Sequence, residues 1–218
     1  MKLAYSSSAF HQQIERGDLT QLEFLDLAAR EIGCDGVVFD DRHFPRIDGD
    51  YLAQLKKMAA DLGLTVAALS SDGFFVADEA VMRDALDRAL ALGAPLLAGR
   101  LGTETALSWS EQLQRLNAAT ALAKAANVTL ALRNAPGTHA ASEHDCKRVA
   151  KEADSAWLRY GLDPAAFDAA SDVASLRAKT VLLWANAQDS PALAGWEAFR
   201  GFAVLETQPH VASAMRGN

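Results

Sequence analysis

Cysteine is scarce in this chain of 218 residues: Cys34 and Cys146 are the whole supply, and neither sits in a C-x-x-C pair or at a Cys/His zinc spacing. That excludes a disulfide framework and points to two reduced thiols packed as small residues, the usage of a cytoplasmic protein. Long apolar runs are lacking too. No stretch approaches the roughly 18 uninterrupted apolar residues of a membrane span, and Met1-Lys2 runs into Leu3-Ala4-Tyr5 without the basic and apolar regions of a signal peptide. There is no run of Lys or Arg, and 21 basic residues against 28 acidic ones leave a net charge of −7. Such a surface offers no footprint for nucleic acid or an anionic membrane, so neither is expected as a partner. What the chain does have is hydrophobic residues at 50% and charged residues at 22%, enough to bury a sizeable core.

Strand-like runs recur along the whole sequence, beginning near Leu3, Gly36, Leu64, Pro95, Val128, Leu158, Thr180 and Gly201. Helix-period segments separate them. Thr20-x-x-Glu23 and Ser108-x-x-Glu111 read as capping boxes, and Ser190-Pro191 as an N-cap followed by proline. Gly33, Gly63, Gly93 and Asn127 stand where helices should end in a left-handed residue. Strands alternating with helices imply a parallel sheet, and eight units averaging about 27 residues suit a compact barrel. The expected fold is therefore α/β, a single (β/α)8 TIM barrel over residues 1–218 with the last helix reduced or missing. An open doubly wound sheet is the alternative, but LAYSSSAFHQQ lacks the glycine-rich turn it needs after the first strand.

In such barrels chemistry gathers at the carboxyl ends of the strands. Those ends are polar almost all the way round: Ser6 to Ser8, Asp40-Asp41-Arg42-His43, Ser70-Ser71-Asp72, Arg100, Arg133-Asn134, Asp163, Asn186 with Asp189, and Glu206. His11, His43, His139 and His210 fall in strand-to-helix loops, where solvent exposure or a local hydrogen bond is the usual fate of a histidine. His43, beside Asp40, Asp41 and Arg42, stands out from the rest. His139-x-x-x-Glu143-His144 is a poor ligand cluster, because adjacent residues on a helix point about 100° apart. Gly99-x-x-Gly102 could approach a phosphate with backbone amides but reads equally as a tight turn.

The stretches CDGVVFDDRHFP, LGLTVAALS, VTLALRNAPGT, GLDPA and the terminal VLE resemble the xylose-isomerase-like TIM barrels over essentially the whole chain. That family includes sugar and sugar-phosphate isomerases and epimerases, inosose dehydratases, hydroxypyruvate isomerases and apurinic endonucleases. The resemblance implies one divalent metal at the barrel mouth, held by a Glu ending strand five, an Asp ending strand six, a His near strand seven and a Glu ending strand eight. Here the strand-five motif reads Ala131-Leu132-Arg133-Asn134, with a cation in the glutamate's place. Asp163 survives, but the histidine often three residues later is Ala166, and the strand-seven motif reads Asn186-Ala187-Gln188-Asp189. Only Asp163 and Glu206 remain of the four ligands. No metal and no other cofactor is therefore expected, and a two-base proton transfer assisted by metal cannot run with these residues.

Period-two alternation turns Leu130 and Leu132 toward the helices and Arg133 inward, where its guanidinium can bridge Asp163 and Glu206 in place of the metal. The same alternation puts Leu182, Trp184 and Asn186 on one face, so Trp184 either fills the barrel or stacks on a sugar ring. Trp109 and Trp196 are expected on helices packed against the barrel. Catalytic candidates are Glu206, Arg133 and Asp163. Candidates for binding a ligand are Asp40, Arg42, His43, Arg100, Asn134, Asn186 and Trp184, although Asp40, Arg42 and His43 read equally well as a surface salt-bridge cluster. Three functions remain open: an isomerase or epimerase-like barrel taking a small sugar, polyol or sugar phosphate with its metal site eroded, a non-catalytic small-molecule binder, and a metal-independent lyase or dehydratase with Glu206 as base. A nuclease role is the least supported.

Overall fold

A computed structural model describes residues 1–168, 171–186 and 191–207. Eight parallel strands close into a barrel in sequence order, β1 (Lys2–Ser6), β2 (Gly36–Asp40), β3 (Thr65–Ser70), β4 (Leu96–Arg100), β5 (Thr129–Arg133), β6 (Leu158–Leu162), β7 (Thr180–Ala185) and β8 (Phe202–Leu205). Closure runs through β1 and β8, with Lys2 opposite Phe202 and Tyr5 opposite Leu205. The expected eight-stranded barrel is thus the fold, and the strands begin within a residue or so of the positions read from the sequence.

Helices α1 (His11–Arg16), α2 (Gln21–Leu27), α3 (Gly49–Asp61), α4 (Glu79–Leu92), α5 (Trp109–Ala126) and α6 (Glu143–Ala153) wrap the first six strands. Both predicted capping boxes form, at Thr20 with Glu23 and at Ser108 with Glu111. Gly33, Gly63, Gly93 and Asn127 all adopt positive φ, which lets the chain leave each helix and turn back toward the barrel. Two details depart from the sequence reading. His11 opens a short helix of its own rather than lying in a loop. After β6 and β7 the described residues form only 3-10 turns, Pro164–Ala166, Val173–Lys179 and Pro191–Leu193, because proline at the start of a segment and the Asp163 side chain, bonded to Ala165 N–H, favour short turns over continued helix. Trp196 is buried, as expected, but it follows the Pro191–Leu193 turn rather than lying on a helix. Ala187, Gln188, Asp189, Ser190, His210 and the reduced or missing final helix lie outside the described residues.

Period two divides the strand side chains between two cores. Leu130 and Leu132 of β5, with Leu97, Tyr160 and Leu183 from neighbouring strands, pack outward beneath the helices. The inward set is Ala4, Val38, Ala67, Ala68, Ala98, Ala131, Leu182, Trp184 and Val204. Most of these are small, and β6 adds Gly161, where a Cβ would lie 3.2 Å from the Trp184 indole nitrogen. The consequence is geometric: small residues on the other strands leave the centre of the barrel to one large ring from β7. Trp184 fills it and is wholly buried.

Candidate functional site

Above Trp184 the strand ends supply a polar mouth. Register fixes who meets whom: Asp40 pairs with Ser70 across β2 and β3, and Arg100 with Arg133 across β4 and β5. A cavity of about 350 Å³ is lined by Ser8, Asp40, Arg42, Ser70, Asp72, Arg100, Arg133 and Glu206. Adjacent guanidinium groups on β4 and β5 would repel one another unless each had its own carboxylate. They do. Arg100 faces Asp72 at 3.5 Å, and Arg133 reaches across the mouth to the end of β8.

Arg133 is the best-anchored charge in the site. Its Nη1 donates to Glu206 Oε1 at 2.9 Å and its Nη2 to Glu206 Oε2 at 2.6 Å, a bidentate pair of the strong kind. Nη2 also lies 3.4 Å from Asp163 Oδ2, a looser contact, so the predicted bridge is present but lopsided toward Glu206. The guanidinium carbon stands 4.2 Å from the centre of the Trp184 ring. Arginine is thus held at its edge by carboxylates and on its face by an aromatic ring. Burial works against its positive charge, but Glu206, Asp163 and more distant Asp72 outweigh that and raise its pKa.

The remaining predicted residues separate by position. Asp40 is buried and takes Arg42 in a second fork, Nε to Oδ1 at 2.9 Å and Nη2 to Oδ2 at 2.6 Å, with Arg42 N–H also donating to Oδ1. Burial alone would push the Asp40 carboxyl up, yet the hydrogen bonds and charge of Arg42 hold it below the usual carboxylate range. Asn134 is buried under the rim and braces β6, its amide donating to Asp163 O at 3.0 Å and accepting from Asp163 N–H at 2.7 Å. Trp184 forms the floor beneath Arg133 rather than a platform open to a ligand. Asn186 is exposed, and its carbonyl accepts from the Thr207 hydroxyl.

His43 does not line the mouth. Its ring is buried, Nδ1 lying 3.0 Å from Ser7 Oγ and Nε2 2.8 Å from His11 Nδ1. Burial lowers its pKa, with Asp40 opposing and His11 and Arg42 reinforcing the shift. Three lining residues, Ser8, Ser70 and Asp72, were visible at the strand ends but were not singled out; Ser8 Oγ donates to Glu206 Oε1 at 3.2 Å. The other motifs resolve as structure. His139 Nε2 bonds Leu107 O, Glu143 is taken by Lys147, Ser175 and the Asp172 backbone, and Gly102 N–H is held by Gln112.

The divalent metal implied by the resemblance does not fit these residues. A cation binding Glu206 and Asp163 would have to share both carboxylates with the Arg133 guanidinium, which already occupies the space between them, and like charge at that range repels strongly in a half-buried site.

A closed parallel barrel with its polar groups gathered at the strand ends is the (β/α)8 architecture. The match of residues 27–194 to the xylose isomerase-like TIM barrel model narrows this further: the chain belongs to that family. Among solved structures it is similar to D-psicose 3-epimerase from Clostridium cellulolyticum H10, at 15% identity and a TM-score of 0.76 over 94% of this chain and 84% of that one. An L-ribulose 3-epimerase gives 19% and 0.70 over 96% and 82%. A family 2 AP endonuclease from Brucella melitensis gives 18% and 0.71 over 96% and 94%. No curated protein matches the sequence. At these identities the structural likeness speaks for the fold alone.

Two stability measurements test the geometry. Arg133→Ala should cost about 2–4 kcal/mol in urea unfolding, the lower part of the range for breaking a buried pair, because Asp163 and Glu206 are each 24% exposed and regain water. Arg133→Met should recover part of that by keeping contact with Trp184; a change within about 0.5 kcal/mol for both would mean the strut bears no load. The second concerns pH. Asp40 has a folded pKa below its unfolded one, so its contribution is complete above pH ~4 and disappears as pH falls through the folded value. Asp40→Asn should therefore be less stable than wild type by about 1 kcal/mol at neutral pH, modest because Arg42 is 57% exposed, and the two curves should converge in acid. A constant gap down to strong acid would contradict this.

Proposed function

We propose that the mouth binds a small, uncharged, polyhydroxylated molecule, a sugar or polyol, and that it does so without the metal-assisted proton transfer of a sugar isomerase or epimerase. One observation carries this reading: the guanidinium of Arg133 is forked onto Glu206 and touches Asp163, so the positive charge at the centre of the mouth belongs to a side chain. The rest of the cavity supports it. Each of its guanidinium groups is matched by a carboxylate, Arg42 by Asp40, Arg100 by Asp72 and Arg133 by Glu206. A balanced set of donors and acceptors with Ser8 and Ser70 hydroxyls suits ligand hydroxyl groups better than a phosphate, which would need unpaired cations. About 350 Å³ is room for a monosaccharide. The epimerase neighbours favour the same ligand class.

The strand-five base of an epimerase is absent, since Arg133 holds that position and cannot accept a proton. Glu206 is an available carboxylate, yet both its oxygens are occupied by Arg133 and one by Ser8 as well. A lyase or dehydratase using it as a single base would first have to break the strongest contact in the mouth. The binding reading is therefore preferred over the catalytic one, and the acidic balance of the chain favours a neutral small molecule over nucleic acid.

Calorimetry with a panel of pentoses, ketohexoses, polyols and their phosphates tests this, coupled to proton NMR of the same mixtures in D₂O with and without Mn²⁺. Saturable binding of a neutral member is expected, weakened roughly tenfold in Arg42→Ala, with no deuterium entering the sugar. Metal-dependent deuterium incorporation would overturn the reading in favour of an epimerase. Incorporation or loss of water without metal would instead favour the single-base lyase.

A further inference from the structure

Beside the β2 loop, among residues that do not line the mouth cavity, lies a second group of ligating side chains. His11 and Glu15 are one helical turn apart on α1, hence on the same face. His43 comes to meet them from the loop after β2. One ligand atom from each lies within 4.8 Å of the others, and His11 Nδ1 and His43 Nε2 are 2.8 Å apart. We propose that His11, Glu15 and His43 form a site for one divalent cation of the zinc class, separate from the mouth and open to the cavity beside it.

The donor set suits that ion. Zinc takes imidazole nitrogen and carboxylate oxygen tetrahedrally at about 2.0–2.2 Å, which places ligand atoms about 3.3 Å apart, and sites with three protein ligands keep a fourth position for water. Reaching that spacing requires the histidine nitrogens to part by about half an ångström and Glu15 to swing inward. Glu15 is exposed and makes no hydrogen bond or ion pair among the described residues, so nothing holds it back. His43 is held from behind, as ligating histidines generally are. Its Nδ1 lies 3.0 Å from Ser7 Oγ, a hydroxyl with lone pairs for both that N–H and the Asp40 N–H it already receives at 2.9 Å, which leaves Nε2 to face the ion.

A second observation points into the same place. A cavity of about 270 Å³ is bordered by Glu15, Thr20, Gln21, Arg42 and His43. Gln21 in its wall is 1% exposed, and neither amide atom has a hydrogen-bond partner among the described residues. An unpaired buried amide is costly, and Gln21 would have to turn for a water in that cavity to reach it. Arg42 borders both this cavity and the mouth, so an ion here would act on the Asp40–Arg42 pair through its charge.

Titration of the metal-free protein with Co²⁺, followed by the visible bands of the tetrahedral ion and by competition with Zn²⁺ in calorimetry, provides the test. One ion per chain is expected, with binding at least tenfold weaker in His11→Ala and in Glu15→Gln and unchanged in Glu206→Gln. Both informative variants replace exposed side chains, and circular dichroism confirms that they fold. No saturable binding, or binding indifferent to His11→Ala and Glu15→Gln, would overturn the proposal. Binding lost in Glu206→Gln alone would do so as well, and would separately contradict the metal-free mouth.

Discussion

The contact between Arg133 and Trp184 organises this barrel. A ring that large fits the interior only because β1, β3, β4 and β5 present alanine there and β6 presents Gly161. A guanidinium can lie on the ring only because Glu206 and Asp163 meet its edge. Each part makes the others tolerable. Without the arginine, two carboxylates would face one another over a hydrophobic floor; without the carboxylates, a cation would be buried to 6% exposure with no counter-charge. One side chain from β5 thereby ties the core beneath the mouth to the chemistry above it.

That constraint also bears on the chemistry proposed for the mouth. A metal ion accepts lone pairs from several directions and polarises a carbonyl, whereas a guanidinium offers hydrogen bonds in one plane and cannot act as a base. On the proposed reading, substituting one for the other keeps the charge balance at Asp163 and Glu206 and leaves no second base at the strand-five position. The rest of the cavity lining, Asp40, Arg42, Ser70, Asp72 and Arg100, remains polar and charge-matched. The barrel architecture is shared with the solved epimerase structures although at most about a fifth of the sequence is.

Much of this was legible in the sequence. Strand spacing and the left-handed residues Gly33, Gly63, Gly93 and Asn127 announce the barrel, since each marks a helix turning back into a strand. Arg133 could be turned inward from period two alone, because β5 is regular from Thr129 onward. His43 could not be placed in this way. It follows a strand end, where alternation stops carrying information, and the chain turns through Asp41 so that its ring meets Ser7 and His11 instead of the mouth. The partnership with His11 was hidden for a similar reason: the sequence pattern showed no helix before Thr20, so the face shared by His11 and Glu15 did not exist until α1 was seen. Trp184 shares a face with Leu182 as period two requires, and Asn134 is a binding candidate by its place at a strand end; their neighbours make them a floor and a brace for β6. Such roles depend on contacts across the barrel, and linear spacing does not encode those.

Arg133→Glu tests the central claim most directly, because it restores the strand-five carboxylate beside Asp163 and Glu206. Mn²⁺ titrated into both proteins, each carrying His11→Ala to silence the second site, with unfolding followed by heat, should leave the Arg133 protein unaffected and raise the stability of the Arg133→Glu variant, which is expected to be the weaker of the two before metal is added. A variant indifferent to Mn²⁺, or an Arg133 protein that takes the ion equally well, would show that Arg133 does not stand in the metal's place.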